Sequence, residues 1–193
     1  MSPALSESPA LSDRISSRLS AAALFVCFLA ALAPALAAAL PPIMDFPNHL
    51  ARIWLIAEGA RTAPLDQIYA IDWSKAGANV GVDFVAAALM RALPLAAVSK
   101  GLVALAFLGP PLGALALNRA LSGRFHALQL TAFALAFPTT AIAGFVNYQI
   151  SLGLALAAAA IAAPRLRNLA LHAVFAGALL FVHPFGALLY AAA

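Results

Sequence analysis

A carboxylate, an imidazole and a guanidinium lie close together in one short segment of the chain. Asp45, His49 and Arg52 are separated by four and then three residues, so on a helix they share one face. A carboxylate can take a proton from a hydroxyl group, whereas a guanidinium and an imidazole can hold a phosphate. The spacing therefore predicts a candidate site in which Asp45 is the catalytic base and His49 and Arg52 bind substrate.

A structural role explains the same residues. Asp45 could instead bond the first backbone N–H groups of a helix, and Arg52 could extend to lipid headgroups. The spacing alone leaves both interpretations open. One Asp and one His do not make a metal-ligand set, and the single cysteine, Cys27, lies in an apolar stretch. No metal and no other cofactor is therefore predicted.

The surrounding sequence predicts a helix over residues 47–58. Pro47 suits the first position of a helix, Asp45 favours the positive end of the helix dipole, and Gly59 can end the helix. The apolar side chains of this segment include Trp54, which suits the boundary between membrane and water. The candidate site would thus lie on a short helix at the membrane surface.

The composition is that of an integral membrane protein. Of all residues, 64% are hydrophobic and 9% are charged, with a mean hydropathy of +0.96, whereas soluble domains carry about 25% charged residues. The net charge of +4 does not indicate nucleic-acid binding, because the basic residues occur as isolated pairs at segment ends. Five of the seven acidic residues lie between Asp45 and Asp83 and none follows, so this window marks where the chain meets water.

We predict an all-α transmembrane helix bundle with about five spans, since a helix needs about 20 apolar residues to cross the hydrocarbon layer. Residues 1–19 are predicted to be a disordered cytoplasmic tail, and residues 20–193 a single transmembrane domain. The alternative for the first span is a cleaved signal peptide that ends near Ala37. The predicted spans are residues 20–40, 101–117, 125–142, 146–163 and 168–190.

Basic residues in short loops predict the orientation. Arg14 and Arg18 precede the first span, and two further pairs of arginines lie between spans two and three and between spans four and five. All three pairs fall on one side if residues 82–97 form an amphipathic helix in the interface rather than a span. The prediction is a bacterial inner-membrane protein with a cytoplasmic N-terminus and an external loop over residues 41–98.

Two polar residues of the later spans are predicted to approach this loop. Asn147 lies in a polar break between spans three and four, and His183 lies near the external end of the last span. Polar residues inside a membrane indicate function by default, so both are candidate substrate-binding residues. The alternatives are that Asn147 anchors its helix at the interface and that His183 bonds a backbone carbonyl freed by Pro184. Asp72 and Asp83 are possible second carboxylates of the site, although a solvated loop position is the favoured explanation for each.

Two segments, together with the long loop after span one, resemble the GT-C glycosyltransferase superfamily. They are Pro42-Ile43-Met44-Asp45-Phe46-Pro47-Asn48-His49-Leu50-Ala51-Arg52 and Gly144-Phe145-Val146-Asn147-Tyr148-Gln149. The resemblance implies inverting transfer of a sugar from a polyprenyl-phosphate carrier in the membrane lipid, with Asp45 as base or acceptor-orienting group. Because such enzymes have more spans, it also implies that the chain corresponds to their N-terminal part.

Two other interpretations stay open at this stage. The chain could be a non-catalytic transporter component or scaffold, in which case a polar pathway would run through spans three to five near Asn147 and His183. We find no internal repeat of the kind that transporters tend to show. The chain could also be an inactive, truncated fragment of an enzyme.

Overall fold

The computed structural model describes residues 9–38, 40–41, 43–125 and 127–193, with side chains described from Arg18 onward. Within these residues every regular element is a helix, which confirms the predicted all-α class. The α-helices are α1 (Pro9–Ala37), α2 (Phe46–Ala57), α3 (Gly81–Leu89), α4 (Leu95–Ser122), α5 (Thr139–Ile142), α6 (Val146–Ala162), α7 (Leu169–Val182) and α8 (Pro184–Ala192). The 3₁₀ helices are Gly59–Arg61, Leu65–Gln67, Trp73–Lys75, Ala127–Ala136 and Ala163–Arg165.

Three helices of the described chain are long and apolar enough to cross a membrane. They cover Arg18–Ala37, Leu95–Ser122 and Val146–Arg165 and correspond to predicted spans one, two and four. The segments of predicted spans three and five form the shorter apolar helices Ala127–Ile142 and Leu169–Val182, below the roughly 20 residues that a span needs. The membrane character is thus supported, and the count of five spans stays a prediction.

The segment predicted as span three is not one α-helix. A 3₁₀ helix ends at Ala136, Pro138 has an extended backbone (φ −69°, ψ 164°), and α5 begins at Thr139. Proline has no backbone N–H to continue a helix, and it disfavours helical geometry in the residue before it. The predicted span over 125–142 is therefore not one continuous α-helix.

The segment predicted as the last span is also divided by a proline. α7 ends at Val182, His183 is extended (φ −166°, ψ 132°), and α8 begins at Pro184. The ring of Pro184 disfavours the helical region for the residue before it, so His183 leaves the helix. The prediction of one helix over 168–190 is wrong at this residue, which is itself a candidate site residue.

The first helix begins earlier than the sequence predicts. α1 starts at Pro9, inside the segment 1–19 that is predicted to be a disordered tail, while residues 1–8 lie outside the described residues. Proline suits the first turn of a helix, and extending an existing helix costs far less than nucleating one. The predicted disorder is therefore wrong from Pro9 onward, because the helix of the apolar stretch extends back through the polar residues.

The predicted external loop, residues 41–98, is folded against the bundle. α2 (Phe46–Ala57) begins and ends one residue before the predicted helix, and buries three apolar side chains in the core. α3 (Gly81–Leu89) packs against α2. The amphipathic helix predicted over 82–97 is therefore helical as expected only up to Leu89. Residues 90–94 form a turn, and Leu95 already begins α4.

Glycines let the main helices approach closely. A Cβ atom on Gly113 of α4 would lie 2.6 Å from the carbonyl oxygen of Gly153 in α6. In the same way, a Cβ atom on Gly186 of α8 would lie 2.7 Å from the Cβ atom of Ser151 in α6. Small residues at such crossings permit tight packing of membrane helices. The start of α8, which follows His183, is thereby held against the first turns of α6.

Candidate functional site

The segment around Asp45 and the segment before α6 meet in the structure. The backbone N–H groups of Met44 and Asp45 donate to the carbonyl oxygens of Ile142 (3.3 Å) and Ala143 (3.0 Å). Gly144 follows with a positive φ of 92°, and a Cβ atom there would lie 2.6 Å from the backbone nitrogen of Asp45. Glycine permits both the conformation and the approach. The turn before α6 therefore sets the position of Asp45.

Replacing Gly144 by alanine is expected to destabilise the protein by about 2–3 kcal/mol, since a positive φ is strained for alanine and the added methyl group overlaps its surroundings. The new Cβ would lie 2.6 Å from the nitrogen of Asp45 and 2.8 Å from that of Phe46, both backbone atoms that must move. Gly77→Ala is the matched control, because nothing lies within 4 Å of a Cβ there. Equal unfolding free energies of the two variants in detergent would contradict the predicted overlap.

The three residues singled out from spacing form one connected chain of polar contacts. His49 Nε2 lies 3.5 Å from Asp45 Oδ2, and His49 Nδ1 lies 3.2 Å from Arg52 Nη2. The same Nη2 donates to both carboxylate oxygens of Asp83, at 3.0 and 2.8 Å. The predicted shared face is thus confirmed, and the chain of contacts continues into α3.

Asp83 belongs to this network, although the sequence favours a solvated position for it. Its side chain is 2% exposed and pairs with Arg52, so the prediction of a solvated loop position is wrong. Burial of a carboxylate requires a charged or hydrogen-bonding partner, and Arg52 supplies one. The signal in the sequence is a single acid within the apolar run Gly81-Val82-Asp83-Phe84-Val85, where an unpaired charge would be costly.

The capping interpretation of Asp45 is not what the structure shows. Asp45 is the residue before α2, yet its side chain makes no capping hydrogen bond. Instead Asp45 Oδ1 accepts from the side-chain amide of Asn48 at 2.8 Å. The Asp45 side chain is 42% exposed, so its carboxylate remains accessible from outside the protein. Likewise, Arg52 is held by Asp83 rather than extending freely.

Asn147 joins the same network from α6. Its Nδ2 donates to the side-chain oxygen of Asn79 at 3.1 Å and lies 3.4 Å from Asp83 Oδ2. Asn147 is 3% exposed, which excludes the alternative of an anchor in the interface. Asn79 has a positive φ of 57°, a conformation that asparagine tolerates better than most residues. The loop between α1 and α4 and helix α6 are therefore joined at Asp83.

His183 approaches the site from the break between α7 and α8. Its Nδ1 accepts from the backbone N–H of Phe185 at 3.3 Å, so the predicted alternative of a bond to a freed carbonyl is not the contact observed. The imidazole packs edge-on against the ring of Tyr148, with centroids 5.6 Å apart. Because Nδ1 is an acceptor, a neutral His183 carries its proton on Nε2, which is then a donor.

These side chains surround a cavity of about 550 Å³. All five residues predicted for the site, Asp45, His49, Arg52, Asn147 and His183, line it, together with Asn79, Thr140, Phe145, Tyr148 and Phe185. The volume is that of a small-molecule site. The structure therefore brings together residues from α2, the loop before α3, α6 and the α7–α8 break.

No family model, no curated protein and no solved structure matches this chain. The likeness to the GT-C superfamily consequently rests on the two segments described above and on the loop between α1 and α4. What it implies for function is therefore a proposal.

A second, apolar cavity has a volume of about 320 Å³ and is lined in part by residues next in sequence to those of the polar network. Its lining includes Val82, next to Asp83, and Val182, next to His183. Its wall consists of fourteen residues, mostly from α3, α4 and α6, and every one of them is either apolar or a glycine. Several of them, such as Val85 and Leu105, are exposed on the surface of the bundle. The polar cavity thus lies beside a groove suited to a hydrocarbon chain.

His49 is held in its neutral form by its surroundings. Its side chain is 12% exposed, and burial, followed by the adjacent Arg52 guanidinium, lowers the pKa of His49 below its ordinary value of 6.5, against the opposing carboxylates of Asp83 and Asp45. A guanidinium has donors only, so Nδ1 must accept and Nε2 carries the proton towards Asp45. A neutral His49 can therefore link Arg52 to Asp45.

This neutral state makes stability depend on pH. The pKa of His49 in the unfolded chain is 6.5. Above that pH, His49 is neutral in both the folded and the unfolded state, and the free energy of unfolding does not change through this group. As the pH falls through that value, the unfolded chain binds a proton that the folded chain does not, so the free energy of unfolding decreases with falling pH. His49→Gln should show a flatter dependence in unfolding measurements between about pH 8 and about pH 5.5. Parallel pH profiles of the two proteins would contradict this assignment.

Proposed function

We propose that the chain provides a membrane-surface site that transfers a sugar from a polyprenyl-phosphate carrier to a hydroxyl group. The observation that supports this most is the polar cavity with Asp45 and Arg52 on its wall, beside an apolar groove. Asp45 accepts the proton of the acceptor hydroxyl, whose oxygen bonds the anomeric carbon of the sugar. The bond from that carbon to the phosphate oxygen breaks, and its electron pair leaves with polyprenyl phosphate.

Arg52 suits the leaving phosphate. A guanidinium has five N–H donors, and within the described chain only Nη2 is engaged, by Asp83 and His49. The donors on Nε and Nη1 are thus available to a phosphate oxygen, while the ion pair with Asp83 fixes the direction of the group. Charge-assisted bonds of this kind stabilise developing negative charge on the leaving group.

The apolar groove supports a lipid-linked donor over a soluble one. A polyprenyl-phosphate sugar is amphiphilic, and the two cavities offer a polar space for its head and an apolar wall for its chain. His183 and Asn147 line the polar cavity, where they can bond the sugar hydroxyls. We place this site outside the inner membrane, with the N-terminus in the cytoplasm, as the arginine pairs predict.

The proposal can be tested by measuring sugar transfer by the chain in lipid nanodiscs with two classes of sugar donor. Hexoses on polyprenyl phosphate should be transferred or hydrolysed, with release of polyprenyl phosphate, and the same hexoses on a nucleotide diphosphate should not. A photoreactive polyprenyl phosphate should label groove residues such as Val85 and Leu105. Transfer from the nucleotide donor, or labelling spread evenly over the lipid-facing surface, would overturn the proposal.

A non-catalytic role in transport is the second candidate, because one observation favours it. Broken helices with irregular backbone lining a polar site are a feature of transporters, and α7 and α8 are separated by the extended His183. On this interpretation the cavity binds a solute without changing it. Uptake of solute by proteoliposomes with no covalent change would support transport.

A further inference from the structure

A separate cavity of about 230 Å³ lies further along α2 and α3. It shares no lining residue with the cavity around Asp45. Two arginines face it, Arg61 from the turn after α2 and Arg91 from the turn after α3, and Trp73 lies with them. The remaining wall consists of Ile56, Ala57, Phe84, Ala87 and Ala88. The cavity therefore combines two positive charges with an apolar wall.

The charge of this cavity is not balanced by the described part of the chain. Neither guanidinium has a described carboxylate oxygen within 4.0 Å, in contrast to Arg52 with its partner Asp83. Two guanidinium groups on one small cavity repel each other, and an anion between them would remove that repulsion. The planar donor fork of arginine matches the oxygens of a phosphate group.

Its aromatic edge indicates a ligand that has an apolar part. The rings of Trp73 and Phe84 meet edge to face, with centroids 6.0 Å apart, yet Trp73 is 46% and Phe84 54% exposed. Tryptophan is enriched at the level of lipid headgroups, where an apolar body and a polar edge are both accommodated. A soluble anion would leave these rings in water, whereas a phospholipid would cover them.

We propose that this cavity binds the phosphate of an anionic phospholipid from the surrounding membrane, with Arg61 and Arg91 as its ligands. The phosphodiester accepts hydrogen bonds from both guanidinium groups, and the first carbons of the acyl chains pack against Trp73 and Phe84. The site is independent of sugar transfer. It holds the ends of α2 and α3 at the membrane surface.

The fluorescence of Trp73 can report on lipid binding at this cavity. The chain has two tryptophans, so Trp54→Phe leaves Trp73 as the only one, at the rim of the cavity. Its fluorescence is measured in nanodiscs that contain increasing fractions of phosphatidylglycerol or phosphatidylcholine brominated near the glycerol end of the chain. Brominated phosphatidylglycerol should quench the fluorescence saturably. The mole fraction needed for half-maximal quenching should be lower than for brominated phosphatidylcholine, by about fivefold for each arginine at low ionic strength.

Matched variants separate a specific site from general attraction to the membrane. In the Trp54→Phe background, R61Q/R91Q should lose the preference for phosphatidylglycerol. R61K/R91K should keep most of it, because the charges remain. R124Q/R167Q, with the same change of charge at exposed arginines that line neither of these two cavities, should keep all of it.

Three outcomes would overturn the proposal. Equal quenching by the two lipids would show that Trp73 is merely immersed in the bilayer. If R61Q/R91Q is monodisperse by size-exclusion chromatography and still prefers phosphatidylglycerol, the two arginines do not bind the lipid. Displacement of brominated phosphatidylglycerol by inorganic phosphate at equal concentration would show that the site takes a free anion rather than a lipid.

Discussion

Asp45→Asn should lower sugar transfer by about 100-fold or more while the fold is retained, because general base catalysis typically contributes at least that factor. The asparagine amide keeps the size of the side chain and can still contact Asn48 and His49, but it cannot accept the proton of the acceptor hydroxyl. The measurement is release of polyprenyl phosphate by each protein in nanodiscs. Thermal unfolding and size-exclusion profiles check that the variant is folded.

Asp66→Asn is the matched control, since Asp66 lies in the same loop, is exposed, and has no side-chain hydrogen bond among the described residues. It should transfer sugar at the unmodified rate. Equal activity of the two variants would remove Asp45 from the role of base. If the chain instead carries a solute across the membrane, Asp45→Asn would change uptake without any covalent product, and the enzyme proposal would fail.

The site was largely predictable because its polar residues are rare in an apolar sequence. Among so few charged side chains, Asp45, His49 and Arg52 stand out by spacing alone. The structure places His49 and Arg52 on one face of α2, with Asp45 directly before the helix. Asn147 and His183 could be named for the same reason, since polar residues in apolar segments need partners. What spacing could not supply was the contact between α2 and α3, which depends on tertiary packing.

The predictions that the structure corrects failed for local physical reasons. The length of the apolar runs predicts continuous helices over the third and fifth segments, but Pro138 and Pro184 change the backbone just before them. Asp83 looked solvated because it belongs to a polar loop, and only the packing of α3 on α2 shows that it is buried. The break at His183 matters most, because it lets the histidine line the polar cavity while its Nδ1 bonds the backbone of α8.

The ion pair between Arg52 and Asp83 should show an asymmetric cost when each partner is removed. The Asp83 side chain is 2% exposed and that of Arg52 is 48% exposed. Arg52→Gln therefore strands a carboxylate in a buried position, for which we expect a loss of about 3 kcal/mol. Asp83→Asn leaves a guanidinium that water can still reach, and we expect a loss of only about 1 kcal/mol.

The double variant R52Q/D83N tests whether the cost arises from the stranded charge. With neither charge present, its loss should be smaller than the sum of the two single losses, because residues in direct contact are not additive. The measurement is the free energy of unfolding in mixed micelles titrated with denaturing detergent. Arg124→Gln, at an exposed arginine without a side-chain hydrogen bond in the described chain, is the control and should be near neutral.

Additive losses, or equal losses in the two single variants, would show that Asp83 is not the buried anchor of the network. The asymmetry also bears on the proposed sugar transfer, in which Arg52 orients its free donors towards a phosphate only while Asp83 holds Nη2. Asp83→Asn should therefore raise the concentration of lipid donor needed for half-maximal transfer more than it lowers the maximal rate. In the proposed reaction, the stability of the pair and the position of the phosphate would thus depend on one buried carboxylate.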